Sequence, residues 1–358
     1  MRCSILALSL CLIAACGKDT GGGGGGGGPD SKVDPDAAIT PDGPPLVGTK
    51  YTLDWGPVTV QPGQENTQCI WLRLNNAGQI KVHQLHNVLS PASHHLIVYR
   101  DDKDTTEQTT PVDCQPFTGA LNTTGMVFPM MITQKSDDAL TLPDHVAYTL
   151  GANQMIKIEM HFINSADMPA QATAKVELYA ADPVTITDEA NILFVGSPDI
   201  GTCTNCTPLP AGGMATLHQF FTVPASLDLS ASHIFAITGH EHHYGTDVQV
   251  RVAPSKTGMQ TSVYAPTPFA WREPETTRHD PGFSIPQGGG LDFQCKWHNT
   301  GTTAVKFGES ANDEMCFFWA YYYPSQGSKV CFHTQQYGGA NGTDLCCPGN
   351  ALCSLVQF

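Results

Sequence analysis

Basic residues are scarce in this chain: 18 Lys and Arg stand against 33 Asp and Glu, a formal charge of -15. That balance argues against nucleic acid and anionic lipid headgroups as partners, since both bind through clustered cations. Helical periodicity is nearly absent, and no repeat of roughly 20 to 50 residues is visible, which disfavours a solenoid or propeller. The one long apolar run, Ile5 to Ala15, is too short to span a bilayer as a permanent helix. It has the form of a signal-peptide core.

What is present begins with export. Ile13-Ala14-Ala15-Cys16 resembles a bacterial lipobox: aliphatic, small, small, cysteine. The expected sequel is removal of residues 1–15 and lipidation of Cys16, so that acyl chains alone attach a soluble, monomeric body to the membrane. Residues 16–47 follow as a tether of glycine, proline and aspartate, too poor in apolar side chains to bury a core. Gly17 brings no aspartate-type inner-membrane retention signal, which points to the outer membrane.

Thirteen cysteines are present, of which Cys3 and Cys11 leave with the leader and Cys16 takes the lipid. Ten remain: Cys69, Cys114, Cys203, Cys206, Cys295, Cys316, Cys331, Cys346, Cys347 and Cys353. An even count in an exported chain reads as disulfides. Only Cys203 and Cys206 have the C-x2-C spacing of a thiolate metal site, and no second pair follows at zinc-ribbon distance. The pairing of Cys331, Cys346, Cys347 and Cys353 stays open.

Beyond the tether lie about 310 residues, which suit two domains of about 150 each. Short alternating runs such as Gln154 to Phe162, Ile234 to Thr238 and Phe317 to Tyr323 are bounded by Gly, Pro, Asn and Asp. The expected fold is all-β, two antiparallel β-sandwiches of jelly-roll type. Ala180-Ala181-Asp182-Pro183 marks the best boundary, giving domains at 48–182 and 183–330. Residues 331–358 read as a Cys-rich tail, a loop stapled by its own bridges.

Most of the fourteen histidines stand singly and need only a hydrogen bond or the surface. Three groups differ. His240 and His242 end a strand at i and i+2, on one side and about 6–7 Å apart, so both imidazoles can reach one ion. Glu241 and His243 point the other way. His94 and His95 are neighbours, so sharing a metal requires a bulge or strand end there. His161 lies opposite the apolar row Ile156, Ile158, Met160 and Phe162, and fits a cleft wall. Met315, in Asp313-Glu314-Met315-Cys316, is a soft thioether in an acidic segment rather than an obvious core residue. Two imidazoles and one thioether select copper, above all Cu(I).

The ordered set His94-His95, Glu159-Met160-His161-Phe162, His240-Glu241-His242-His243 and Asp313-Glu314-Met315-Cys316 with Tyr322-Tyr323-Pro324 resembles the copper type II, ascorbate-dependent monooxygenases. This is the family of the peptidylglycine α-hydroxylating and dopamine β-monooxygenases. The resemblance runs from about Tyr51 to Pro324 and implies two sandwiches facing each other across a solvent-filled cleft. It implies an electron-transfer copper on His94, His95 and His161, and an oxygen-binding copper on His240, His242 and Met315. It also implies disulfides Cys69–Cys114, after the segment Glu65 to Gln68, and Cys295–Cys316, which holds the methionine loop.

The activity so implied is hydroxylation of a substrate C–H bond by O2, with two copper ions and electrons from ascorbate or a similar donor. The substrate would be a small molecule or a peptide. In the peptide-hydroxylating branch an arginine precedes the first oxygen-site histidine by two residues and a tyrosine follows the methionine by four. Here those positions hold Thr238 and Trp319, so a peptidylglycine substrate is not expected. The alternative is a surface lipoprotein that binds copper for storage, delivery or sensing without catalysis.

Overall fold

The computed structural model describes residues 47–116, 126–336 and 342–348. The leader, Cys16, the tether as far as residue 46, and Cys353 lie outside the described residues. Apart from one 3-10 turn at Pro183–Thr185, the regular elements among them are β-strands. No helix there is long and apolar enough to cross a membrane.

The strands form four sheets, two in each half of the chain. In the first half, one sheet is ordered Thr49–Val60, Ala170–Ala181, Ile80–Leu89, Val146–Leu150, with Asp188–Glu189 at its edge. It packs on a second, ordered Gln108–Asp113, Glu65–Arg73, Met155–Ile163, Ser93–Asp101, Val127–Thr133. Trp55, Val82 and Leu178 of one meet Ile70, Ile158 and Phe162 of the other in a shared core.

In the second half, a four-stranded sheet carries Met214–Thr222, Gly290–His298, Gly245–Ala253 and Thr261–Tyr264. It packs on a six-stranded sheet ordered Thr276–Phe283, His233–His240, Phe317–Tyr323, Asn191–Gly196, Lys329–Thr334, Thr343–Cys347. Val248, Leu291 and Phe293 meet Ile237, Phe318 and Tyr322 there. The last two strands correct the reading of the tail as loop. Cys331 and Cys346 sit opposite one another on them and are bonded.

The aromatic strand Phe317–Tyr323 is apolar on both faces because both faces are covered. Alternation sends Phe318, Ala320 and Tyr322 into the second core, while Phe317, Trp319 and Tyr321 turn to the first half. Burying each such side chain is worth ~1.5–3 kcal/mol, so this row joins the halves over a dry face. The Ile132 N–H donates to the Tyr321 hydroxyl at 3.1 Å across the same junction.

Met155–Ile163 is also covered on both sides. Its apolar row enters the first core, as its alternation predicts. Its other row is buried too: Lys157 pairs with Glu159 at 3.1 Å, and the Tyr99 hydroxyl donates to Glu159 at 3.1 Å. Cys69–Cys114, Cys203–Cys206 and Cys295–Cys316 are bonded, and Cys347 is disulfide-bonded as well.

Candidate metal centre

His94 and His95 open the strand Ser93–Asp101, and its register against Met155–Ile163 slips between Ser93 and His95. That irregularity lets neighbouring residues share a side. His95 then lies directly opposite His161. The ring centroids of His94, His95 and His161 stand 4.9 to 5.4 Å apart.

His240 ends the strand His233–His240, and the turn closed by Gly245 N–H donating to His242 O carries His242 back beside it. Their centroids are 5.1 Å apart. Gly239 lets this strand end sit close on the second core: a Cβ there would come within 2.7 Å of the Tyr264 and Val248 side chains. Met315 is buried just before the aromatic strand.

The methionine segment grips the histidine turn. The Glu314 carboxylate accepts the backbone N–H of His242 at 2.9 Å and of Tyr244 at 2.8 Å. His242 Nδ1–H donates to the Asp313 carbonyl at 3.0 Å, which leaves Nε2 as the ligand nitrogen. Cys316, bonded to Cys295, pins the next residue. Glu241 is fully buried; burial, with Glu314 nearby, pushes its carboxyl well up. His243 donates Nδ1–H to the Ala311 carbonyl at 2.7 Å.

The two histidine groups are in contact. His94 and His242 centroids lie 6.2 Å apart, His95 and His240 6.3 Å, so the space between the sandwiches is narrow at the histidines. Two openings flank this cluster. One is an apolar cavity walled by Met315, Phe194, Phe317 and Trp319 with His95 and His240; no Asp, Glu, Lys or Arg lines it. The other is a groove with His94 at its edge.

Three residues that carry no role in the sequence reading hold the histidines. Glu65 Oε1 accepts from His161 Nε2 at 2.9 Å and from Ala311 N–H at 2.8 Å, with Ser310 Oγ donating to Oε2 at 3.0 Å. Burial would raise this carboxyl, but these hydrogen bonds and the His161 ring hold it at about 2. Gln134 Oε1 accepts from His240 Nδ1 at 2.9 Å, and Trp271 lies edge-on to His94 at 6.1 Å. Only Glu65 had a signal, its place in the Glu65 to Cys69 segment.

Burial drives the pKa of His94, His95 and His240 well below the usual imidazole value, and that of His242 to about 4. Neutral imidazoles are the form that binds metal. His94 Nε2 and His240 Nε2 are buried without a hydrogen-bond partner, an arrangement a bound ion would satisfy. Among the described residues, no three His, Cys, Asp or Glu side chains already converge as a metal cage. His161 Nδ1 instead lies 3.2 Å from His95 Nε2, so the two rings hydrogen-bond each other. The donor set nonetheless fits copper: buried neutral imidazoles, two with orphaned nitrogens, beside a thioether.

No curated protein matches the chain. Among solved structures it is similar to the major capsid protein P2 of bacteriophage PM2, with TM-score 0.33 and 11% identity over 78% of this chain and 100% of that one. The glycosylasparaginase PNGase F of Flavobacterium meningosepticum gives TM-score 0.29 and 10% identity over 76% and 94%. Superpositions this loose carry no argument about function. Residues 213–341, which include His240, His242 and Met315, match the family described as copper type II ascorbate-dependent monooxygenase, C-terminal domain.

Proposed function

We propose that the chain is a copper-dependent monooxygenase that hydroxylates a C–H bond of an uncharged, largely apolar small molecule, using O2 and ascorbate or a similar donor. The observation that carries this reading is that the two histidine groups touch and that His95 of one, His240 of the other and Met315 line one apolar cavity. His94, His95 and His161 would hold the electron-transfer copper, and His240, His242 and Met315 the oxygen-site copper. Bound there, copper supplies one-electron chemistry and an open position for O2, and the thioether favours its reduced state.

The chain's own residues do the rest. Gln134 and the Asp313 carbonyl fix the tautomers of His240 and His242. Phe194, Phe317 and Trp319 keep the reacting space dry. Thr238 offers no charge, and its hydroxyl is paired with that of Thr276 at 2.8 Å. The cavity, about 30 Å³, admits only a small group, and a charged one reaching into it would be unpaired, at a cost of several kcal/mol.

The test is copper stoichiometry followed by turnover: two ions per chain, with O2 uptake coupled to hydroxylation across a panel of uncharged substrates. In Met315→Ala, turnover should collapse while copper on His94, His95 and His161 persists. Undiminished turnover in that variant would overturn the oxygen-site assignment. Full copper loading without any turnover would favour the storage, delivery or sensing role.

A further inference from the structure

The geometry points to the groove outside His94 as the docking site for the electron donor: a small, anionic, hydroxyl-bearing reductant of the ascorbate class. This rests on the reading of the chain as an ascorbate-fed copper enzyme, and adds where the donor binds and what recognises it. The groove lies at the junction of the halves, with His94, Ser136 and Ser165 on one side and Trp271, Arg272 and Glu273 on the other. Its cavity volume is about 180 Å³, on the scale of a single sugar-sized ring, and it opens to solvent at its mouth.

Four features favour that occupant. Arg272 is exposed and has no ion pair or hydrogen bond among the described residues, on a chain of formal charge -15. Its guanidinium lies 4.7 Å over the Trp271 ring, which packs against His94 at 6.1 Å. A donor held by Arg272 therefore sits beside the electron-transfer group, with an indole in contact. Ser136 and Ser165 are exposed on the rim and can meet donor hydroxyls. The one acid there, Glu273, is partly engaged, since its Oε1 accepts the Ser136 N–H at 3.3 Å.

The inner cavity is the wrong place for such a molecule, because it offers no charged group. Gln134 lines both spaces and stands between them. Donor and substrate thus use opposite sides of the histidine cluster. Each donor gives one electron and one proton to the His94 side and leaves as its radical. Two donors supply what RH + O2 + 2 e⁻ + 2 H⁺ → ROH + H2O consumes.

The experiment titrates ascorbate into the metal-free protein under anaerobic conditions, followed by tryptophan fluorescence and ligand-observed NMR. Saturable binding is expected, weakened by added salt, reduced about tenfold or more in Arg272→Gln, and tightened in Glu273→Gln. A second readout is loss of the Cu(II) EPR signal of the loaded protein at limiting ascorbate, which should slow in Arg272→Gln. Unchanged binding and unchanged reduction in Arg272→Gln would overturn the groove, while leaving the monooxygenase reading intact. Failure of the wild-type chain to take up copper would instead overturn the reading on which the groove depends.

Discussion

Glu65 ties His161 to the second half of the chain: its Oε1 lies 2.9 Å from His161 Nε2, and the same oxygen accepts the Ala311 N–H at 2.8 Å. One carboxylate thereby orients a ligand of the first group and grips the loop that leads to Met315. Glu65→Gln keeps the volume but loses the charge. Copper affinity at the first group should fall about 10–100-fold, the usual effect of removing a residue that orients a ligating histidine. Copper titration of the variant checks this, and unchanged affinity would show that the carboxylate only braces the interface.

Gln134 serves His240 in the same way from across the junction. Gln134→Leu strands a buried Nδ1–H, costing ~1–3 kcal/mol, and frees the ring to change tautomer. We expect a lower melting temperature and weaker copper binding at His240 and His242, with His94, His95 and His161 less affected. Equal losses at both groups would contradict this division.

Glu309 reaches towards Glu159, which already holds Lys157 and the Tyr99 hydroxyl. Burial, reinforced by the Glu159 charge, pushes the Glu309 carboxyl from 4.5 up to about 8. The folded protein therefore holds this proton more tightly than the unfolded chain, and stability falls as pH rises from about 4.5 to about 8. Glu309→Gln should remove that loss and melt higher than wild type at pH 8, with little difference near pH 4.5. Denaturant unfolding at the two pH values measures it.

His86 shows the opposite device on the far side of the first sandwich. Its ring nitrogens lie 3.0 Å from Glu177 and 2.8 Å from Asp137. Burial would lower its pKa, but these two carboxylates raise it above 6.5. A raised imidazole pKa contributes stability that is complete below the unfolded value and lost as pH climbs through the folded one. His86→Gln should therefore destabilise the protein near pH 5.5 more than at pH 8.5. An equal effect at both would mean that the charge contributes nothing.

Much of the centre was legible because its signals are local. The H-x-H spacing marks His240 and His242 as a pair, although the strand ends at His240 and a turn, not strand alternation, brings His242 beside it; the slip at His94 is the irregularity that adjacent ligands demand. The burial of the polar row beside His161 was not legible in the sequence, for a physical reason. Alternation tells which side a residue faces, but not whether another layer covers that side. Here Tyr99 and the region of Glu309 and Ala311 cover it, and Lys157 and Glu159 are buried as a pair.

Period, spacing and donor chemistry along the chain already carry the strand-rich class, the six candidate ligands and the soft thioether that selects copper. Folding adds that His94 meets His242, that Glu65, Gln134 and Trp271 hold the cluster, and that an apolar cavity and a charged groove flank it. Those relationships join residues far apart in the chain, such as Glu65 and His161, 96 apart, or Gln134 and His240, 106 apart. No local pattern encodes them, because they arise where two independently patterned sandwiches bury one shared face.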